Sequence, residues 1–355
     1  MKLAKKARPS AKGARSEGAR SKFGRRSRDR VHLHIENVSE LGAVFQVTKK
    51  RLNDALARHP KVARQVKITL GTDGDIFDLA IATADALFGW KFQHRGIAKR
   101  APRLKWVHAH GAGINHLLPL DWLPKGAVLT NSRGVHGDRA SEYAMMALLA
   151  LNNRLPEMVT NQRAAHWRQL YSTGIAGKTL LVIGVGSVGG ATARLAKKFG
   201  LYVLGVRRSG HPQPAVDEMF RPASLHRLLP RADFVLITAP HTDDTHHLLG
   251  KKELGLMKRG AGLVNYSRAN LVDYGALRKK LGAGELSAVL DVFDPEPLPS
   301  SSPLWRTPNL IMTPHSSSDD AERYTPDTLD LVFRNLARFL IGRPLLNRVR
   351  PELGY

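Results

Sequence analysis

The stretch KTLLVIGVGSVGGATARLAKKFGLYVLGV, residues 178–206, leaves a chain few folding options. An apolar run ends in a glycine loop, the loop opens a segment with helical spacing, and a second apolar run follows. Such a unit is two parallel strands joined by a helix that lies on the face of a sheet. Helical spacing puts Val188, Ala191, Leu195 and Phe199 on its inward side. Gly184, Gly186 and Gly189 fit the G-x-G-x-x-G pattern. Gly184 suits a tight turn, Gly186 a close approach of a pyrophosphate, and Gly189 close packing of helix on strand. The helix start, Ser187 and Val188, offers free N–H groups to phosphate. Following a strand and opening a helix, the motif reads as a dinucleotide-binding loop.

The same alternation runs through the chain. VHLHIENV, QVKITLG, ADALFGW, LKWVHAHGAG and GAVLTNS read as strands before the loop. DFVLITAP, AGLVNYS, SAVLDVF and NLIMTPH read as strands after it. QVTKKRLNDALARH has helical spacing. DRASEYAMMALLALNNRL reads as a strong helix capped by Asp138, with Tyr143, Met146, Leu149 and Ala150 on one face. TLDLVFRNLARFLIG reads as an amphipathic helix. The expected fold class is α/β, with two Rossmann-like doubly wound parallel-sheet domains. The second block spans about residues 135–317.

The formal charge of +25 is unevenly spread, because residues 1–30 hold twelve Lys and Arg against Glu17 and Asp29. With almost no large apolar residues, that tail is expected to be disordered. A solvated extension, an arm that binds polyanions without sequence specificity, and a targeting peptide are all compatible with it. No apolar run has the length of a membrane span. The chain has no cysteine, which excludes disulfides, thiolate metal sites and cysteine nucleophiles and fits a cytoplasmic setting. No metal site and no specific nucleic-acid partner are expected.

At the end of the strand after the glycine loop, an acid would bind the ribose 2′-hydroxyl of NAD. This chain has Arg207 there, followed by Arg208 and Ser209. Two guanidinium groups and a hydroxyl suit a 2′-phosphate, so NADP is the expected cofactor, with NAD used less efficiently.

Arg268, Glu296 and His315 each follow a buried strand, where α/β sheets place their sites. Singly, each has a plain alternative as a surface ion pair, a loop charge or a turn histidine. Together with a nicotinamide they fit reduction of a 2-keto acid. His315 would give the proton, Glu296 would orient it, and Arg268 would clamp the carboxylate. Backbone N–H groups of the small-residue loop GAGI, residues 111–114, suit the same carboxylate.

LLVIGVGSVGG, LLPRADFVLITAPHTDDT, MKRGAGLVNYSRANLVD and LDVFDPEPLPSSSPLWRTPNLIMTPH occur in this order. On these motifs residues 31–355 resemble the D-isomer-specific 2-hydroxyacid dehydrogenases. The resemblance implies Arg268 as the substrate-binding arginine, Glu296 as the partner of the acid/base His315, and Asp291 beside the nicotinamide carboxamide. It implies Ala112 and Gly113 as backbone contacts of the substrate, and Thr238 as a cofactor neighbour where the family often has His or Asn. It also implies a split substrate domain, residues 31–134 and 318–355, a dinucleotide domain over 135–317, an active site in the cleft between them, a homodimer and D stereochemistry. Ala269 and Asn115 depart from the usual Gly and Asp, which bears on substrate preference. Trp90, His116 and Tyr324 are further candidates for the pocket. The arginines at the ribose position resemble the NADPH-dependent glyoxylate and hydroxypyruvate reductases. Two other readings exist on such a scaffold, a nucleotide-sensing corepressor and a phosphite oxidase, and the intact Arg–Glu–His set favours the keto-acid enzyme.

Overall fold

A computed structural model describes residues 30–350, and the basic tail therefore lies outside the described residues apart from Arg30. The first sheet contains β1 (Val31–Asn37), β2 (Val66–Thr72), β3 (Ala86–Gly89), β4 (Trp106–Ala109) and β5 (Val128–Asn131). They pair in the order β2-β1-β3-β4-β5, parallel throughout. The second sheet contains β6 (Thr179–Ile183), β7 (Tyr202–Val206), β8 (Glu218–Phe220), β9 (Phe234–Ile237), β10 (Ala261–Asn265), β11 (Leu286–Leu290) and β12 (Leu310–Met312). Its order is β12-β11-β10-β9-β6-β7-β8, again parallel. Two parallel-sheet α/β domains are what the alternation of apolar runs and helices predicts. The three-residue edge strand β8 was not anticipated.

Both faces of each sheet are covered. In the second sheet Leu181, Ile183, Val235 and Ile237 enter one core, while Leu180, Val182, Val203 and Leu236 enter the other. In the first sheet Val31, Leu33, Ile35 and Phe88 pack with Leu329, Val332, Phe333 and Leu336 of the helix Tyr324–Leu340. The chain thus leaves the first sheet after β5 and comes back to it at its last helix.

Two helix faces differ from expectation. The helix Gly137–Asn152 has His136, not Asp138, at its N-cap. It buries Ala140, Tyr143, Ala144, Ala147, Leu148 and Leu151, whereas Met146 is 52% exposed. The helix Ser187–Lys198 buries Gly189, Gly190, Ala191, Thr192, Ala193 and Ala196, and Phe199 is 39% exposed. Tyr143 and Ala191 are buried as expected, and Leu149, Val188 and Leu195 pack partly buried against the same core, so Met146 and Phe199 are the residues that turn outward instead. Glycine and alanine share the inward faces, because a helix that packs closely on a neighbour or a sheet needs little side chain in between.

The polar side of β1 is buried too, as it must be in a sheet covered on both faces. It forms a row of hydrogen bonds. His32 Nδ1 lies 3.0 Å from Thr83 Oγ1 and its Nε2 lies 2.9 Å from Thr69 Oγ1. Thr69 Oγ1 is 2.9 Å from His34 Nδ1, and His34 Nε2 is 2.8 Å from Glu36 Oε2. On β4, His108 meets Thr130 Oγ1 at 2.7 Å and Ser132 Oγ at 3.2 Å.

Burial lowers the pKa of both His108 and His110 to about 3, and neighbouring histidines add to the effect. The ordinary value is 6.5. Above it the imidazoles are neutral whether folded or unfolded, and stability is fully present. As pH falls below it, the unfolded chain takes up protons that the folded chain refuses until about 3. Stability is lost through that window, by about 2 kcal/mol per histidine at about pH 5. The unfolding free energy in urea should therefore drop by about 4 kcal/mol between about pH 7.5 and pH 5. An unchanged value would contradict the neutral buried histidines.

Candidate active site

The glycine loop leaves β6 where the sheet order changes direction, with β7 on one side and β9 on the other. Gly184 has φ +102°, and a Cβ there would lie 2.4 Å from the amide nitrogen of Ala239. A Cβ on Gly189 would lie 2.5 Å from the Gly184 carbonyl oxygen and 2.6 Å from Thr238 Oγ1. Both positions therefore require glycine. A Cβ on Gly186 would meet nothing within 4 Å, so this backbone faces open space. Behind it start the free N–H groups of the helix Ser187–Lys198, at Ser187 and Val188. The loop thus combines a forced turn, an open backbone and a helix N-terminus, which is the fit a pyrophosphate requires. The Thr238 hydroxyl is used within the protein, donating to the Gly184 carbonyl at 2.6 Å.

Arg207 leaves β7 directly beside this turn, since Gly184 N donates to Val206 O at 2.8 Å. Arg207, Arg208 and Ser209 form a surface turn closed by Gly210 N to Arg207 O at 3.1 Å. Arg207 has no carboxylate within ion-pair distance among the described residues.

Arg268, Glu296 and His315 follow β10, β11 and β12, three adjacent strands. His315 Nδ1 is 2.7 Å from Glu296 Oε2, and Glu296 Oε1 accepts the Phe293 N–H at 2.7 Å. The carboxylate therefore holds Nδ1 as the donor and leaves Nε2 for another partner. Arg268 is half-buried, and burial lowers its pKa while the Glu296 charge opposes that shift. Its Nη1 donates to the carbonyl of Ser267 at 2.7 Å.

Residues not anticipated from sequence hold these groups in place. Fully buried Asn265 donates through Nδ2 to Arg268 O at 3.0 Å and to the Tyr274 hydroxyl at 3.2 Å. Tyr274 in turn donates to Val292 O at 2.8 Å, which fastens the Arg268 segment to the strand end that carries Glu296. Burial pushes the pKa of the Tyr274 hydroxyl up, so it stays a neutral donor. Asp291 is fully buried and turned toward the His315 loop. Its Oδ1 accepts from Thr313 Oγ1 at 2.6 Å and Ser316 N at 3.1 Å, and its Oδ2 from Ser317 N at 3.2 Å. The Tyr143 hydroxyl, its pKa pushed up to about 12 by burial, lies 2.6 Å from Thr313 Oγ1.

The first domain comes near Arg268 at His116 and the small-residue loop that precedes it. The N–H groups of Ala112 and Gly113 have no acceptor among the described residues, while Asn131 Nδ2 holds the Ala112 carbonyl at 2.7 Å. Gly111 lets Trp90 lie against the loop, since a Cβ there would be 2.1 Å from its ring. Trp90 stacks on His116 at 3.9 Å, and His116 Nε2 is 2.9 Å from Trp90 O. Burial lowers the pKa of His116, and the charge of Arg268 contributes to that shift from the other domain. Tyr324 is not a pocket residue. It is buried between His110 and His136, at ring distances of 5.3 and 4.9 Å, where the two interdomain crossings meet.

A family model described as D-isomer specific 2-hydroxyacid dehydrogenase, NAD binding domain, matches residues 145–317. A glyoxylate reductase of Korarchaeum cryptofilum is 32% identical over 267 residues, covering 72% of this chain and 79% of the relative. The chain belongs to the D-isomer-specific 2-hydroxyacid dehydrogenase family. It is accordingly an NAD(P)-dependent dehydrogenase. A glyoxylate/hydroxypyruvate reductase B of Pectobacterium atrosepticum is 32% identical over 283 residues, 77% of this dehydrogenase and 88% of the relative. Among solved structures, an NADPH-dependent glyoxylate/hydroxypyruvate reductase from Sinorhizobium meliloti, in complex with NADP and sulfate, is 26% identical. It superimposes with a TM-score of 0.76 over 91% of this chain and all of the other.

Tyr274→Phe removes both hydrogen bonds of the Tyr274 hydroxyl, which tie Asn265, and through it the Arg268 segment, to Val292. It should cost about 1–3 kcal/mol in urea unfolding. In steady-state turnover it should raise KM for the acid substrate more than it lowers kcat. Unchanged stability and KM would show that the brace is idle.

Proposed function

We propose that this dehydrogenase is an NADPH-preferring reductase of small 2-keto acids, of the glyoxylate and hydroxypyruvate type, that forms the D-2-hydroxy acid in the cytoplasm. The observation that carries this reading is the convergence of Arg268 with the His315–Glu296 pair on three adjacent strand ends, with the open N–H groups of Ala112 and Gly113 on the loop before His116, which feels the Arg268 charge. Residues 31–134 with 318–355 form the substrate side and residues 135–317 the dinucleotide side.

The dinucleotide supplies the hydride when bound. Gly184, Gly186 and Gly189 with the N–H groups at Ser187 and Val188 hold its pyrophosphate. Arg207, Arg208 and Ser209 hold the 2′-phosphate. Thr238 keeps the loop in shape, and Asp291 fixes the His315 loop at the nicotinamide end. Arg268 binds the substrate carboxylate together with the Ala112 and Gly113 amides, and its charge stabilises negative charge on the carbonyl oxygen. His315, protonated with Nδ1 on Glu296, delivers the Nε2 proton to that oxygen. After reduction the neutral imidazole regains a proton from solvent, to which its side chain is 46% exposed. The stacked Trp90–His116 pair limits the room for a substrate side chain and favours two- and three-carbon acids. The exposed apolar side chains of Met146, Leu155, Met158 and Trp167 support a homodimer through this outer face.

Initial rates of NADPH and NADH oxidation, with glyoxylate, hydroxypyruvate and pyruvate at matched concentrations, test the reading. NADPH should be favoured at least about tenfold, and Arg207→Ala with Arg208→Ala should erase that preference. Turnover that prefers NADH would overturn the role of the arginines. Absence of turnover with all three acids would overturn the substrate class.

A further inference from the structure

A cleft of about 750 Å³ opens at the end of the second sheet opposite the catalytic groups. Lys178, Asp233, Gly260 and Asn309 line it, and they immediately precede β6, β9, β10 and β12. The glycine loop, Arg268, Glu296 and His315 instead follow the other ends of these parallel strands. A five-residue strand spans roughly 17 Å, so this cleft is separate from the dinucleotide and substrate sites. Its outer wall is formed by Asn152, by Arg154 and Glu157 of the helix Leu155–Arg163 and its lead-in, and by Arg168 and Tyr171.

Charge is unbalanced there. Five cations, Arg154, Arg168, Lys178, Lys258 and Arg259, face two carboxylates, Glu157 and Asp233. Glu157 is shared by Arg154 at 2.6 Å and Arg168 at 3.2 Å. Asp233 holds Lys258 at 2.7 Å and spends its other oxygen on the Thr179 N–H at 2.8 Å. Lys178 and Arg259 make no salt bridge among the described residues; Glu285, between the lining residues Gly284 and Leu286, feels the Arg259 charge but is held by Lys280 at 2.6 Å. The half-buried Lys178 ammonium has only neutral partners, Asn152 Oδ1 at 2.6 Å and the face of Phe234 at 6.0 Å. Asn152 is itself oriented, since its Nδ2 donates to Thr173 O at 2.9 Å. Ser172, Ser287 and Asn309 add neutral polar groups to the lining. Cations gathered in a concave, partly desolvated site repel one another, and an anion relieves that repulsion.

We propose that this cleft binds a compact anion carrying two or more charges, of the oligophosphate or polycarboxylate class. Lys178 and Arg259 are its principal ligands, and Arg154 and Arg168 close over it from the outer wall. The reductase chemistry does not use the site, so the proposal does not rest on it, although the outer wall shares residues 154–171 with the face proposed above for the homodimer.

Calorimetric titration with inorganic tripolyphosphate and with citrate, at low ionic strength and in excess NADP to fill any 2′-phosphate pocket, tests it. At least one probe should saturate at one per chain. The double substitution Lys178→Met and Arg259→Met should weaken it at least about tenfold, and Arg207→Ala with Arg208→Ala should leave it unchanged. Saturation by tripolyphosphate alone assigns the oligophosphate class, and saturation by citrate alone the polycarboxylate class. Should the double variant fail to fold, Arg168→Gln, on an exposed segment, must still weaken binding at least about threefold. No saturable binding of either probe, or binding that these substitutions leave intact, would overturn the proposal.

Discussion

The Asp291 carboxylate lies fully buried at the end of β11, and the arrangement of the site depends on its being satisfied there. A buried carboxylate without donors costs several kcal/mol, so the chain around it is obliged to bring donors. Thr313, Ser316 and Ser317 bring them, and they flank His315 on both sides. His315 itself sits at φ +49°, a region a non-glycine residue occupies only when its surroundings hold it. Its N–H donates to Asp291 O at 2.8 Å. Backbone and side chain of one aspartate thus set the direction in which the imidazole points.

From that anchor the constraint spreads in two directions. Through Thr313 and Tyr143 it reaches the helix Gly137–Asn152, which lies beside the interdomain crossing at His136. Across β10 and β11, the Asn265–Tyr274–Val292 chain holds Arg268 against the Glu296 loop. Arg268, Glu296 and His315 come from segments that are 47 positions apart at most, yet parallel pairing of β10, β11 and β12 makes them neighbours. Parallel sheets gather functional loops at one end for this reason. The same geometry leaves the other end of the strands free for groups of a different kind, and there the unpaired cations of Lys178 and Arg259 collect.

Much of this was legible in the sequence. Apolar runs bounded by Gly, Pro and Asp marked the strands well, and Arg268, Glu296 and His315, each just past such a run, stand at the ends of three adjacent strands. What escaped has a physical cause in each case. The edge strand β8 has three half-buried residues and so lacks a distinctive run. Met146 on the helix Gly137–Asn152 and Phe199 at the end of the helix Ser187–Lys198 were expected inward but are exposed, because close packing selects glycine and alanine over large side chains. The burial of the histidine row on β1 follows from a sheet covered on both faces, which the alternation of a single strand does not report. The Tyr274 and Asn265 bridge and the placement of His116 near Arg268 depend on partners distant in sequence, which no local pattern reports.

The central claim is that His315, held by Glu296 and the Asp291 loop, is the proton donor, while dinucleotide binding resides elsewhere. Its most direct test is the His315→Asn variant, with turnover of a small 2-keto acid and dinucleotide binding by fluorescence measured side by side. Turnover should fall by about 10²–10⁴-fold while the dinucleotide Kd stays within about threefold of wild type. Turnover within about tenfold of wild type would contradict the account, because general acid catalysis could not then rest on this imidazole.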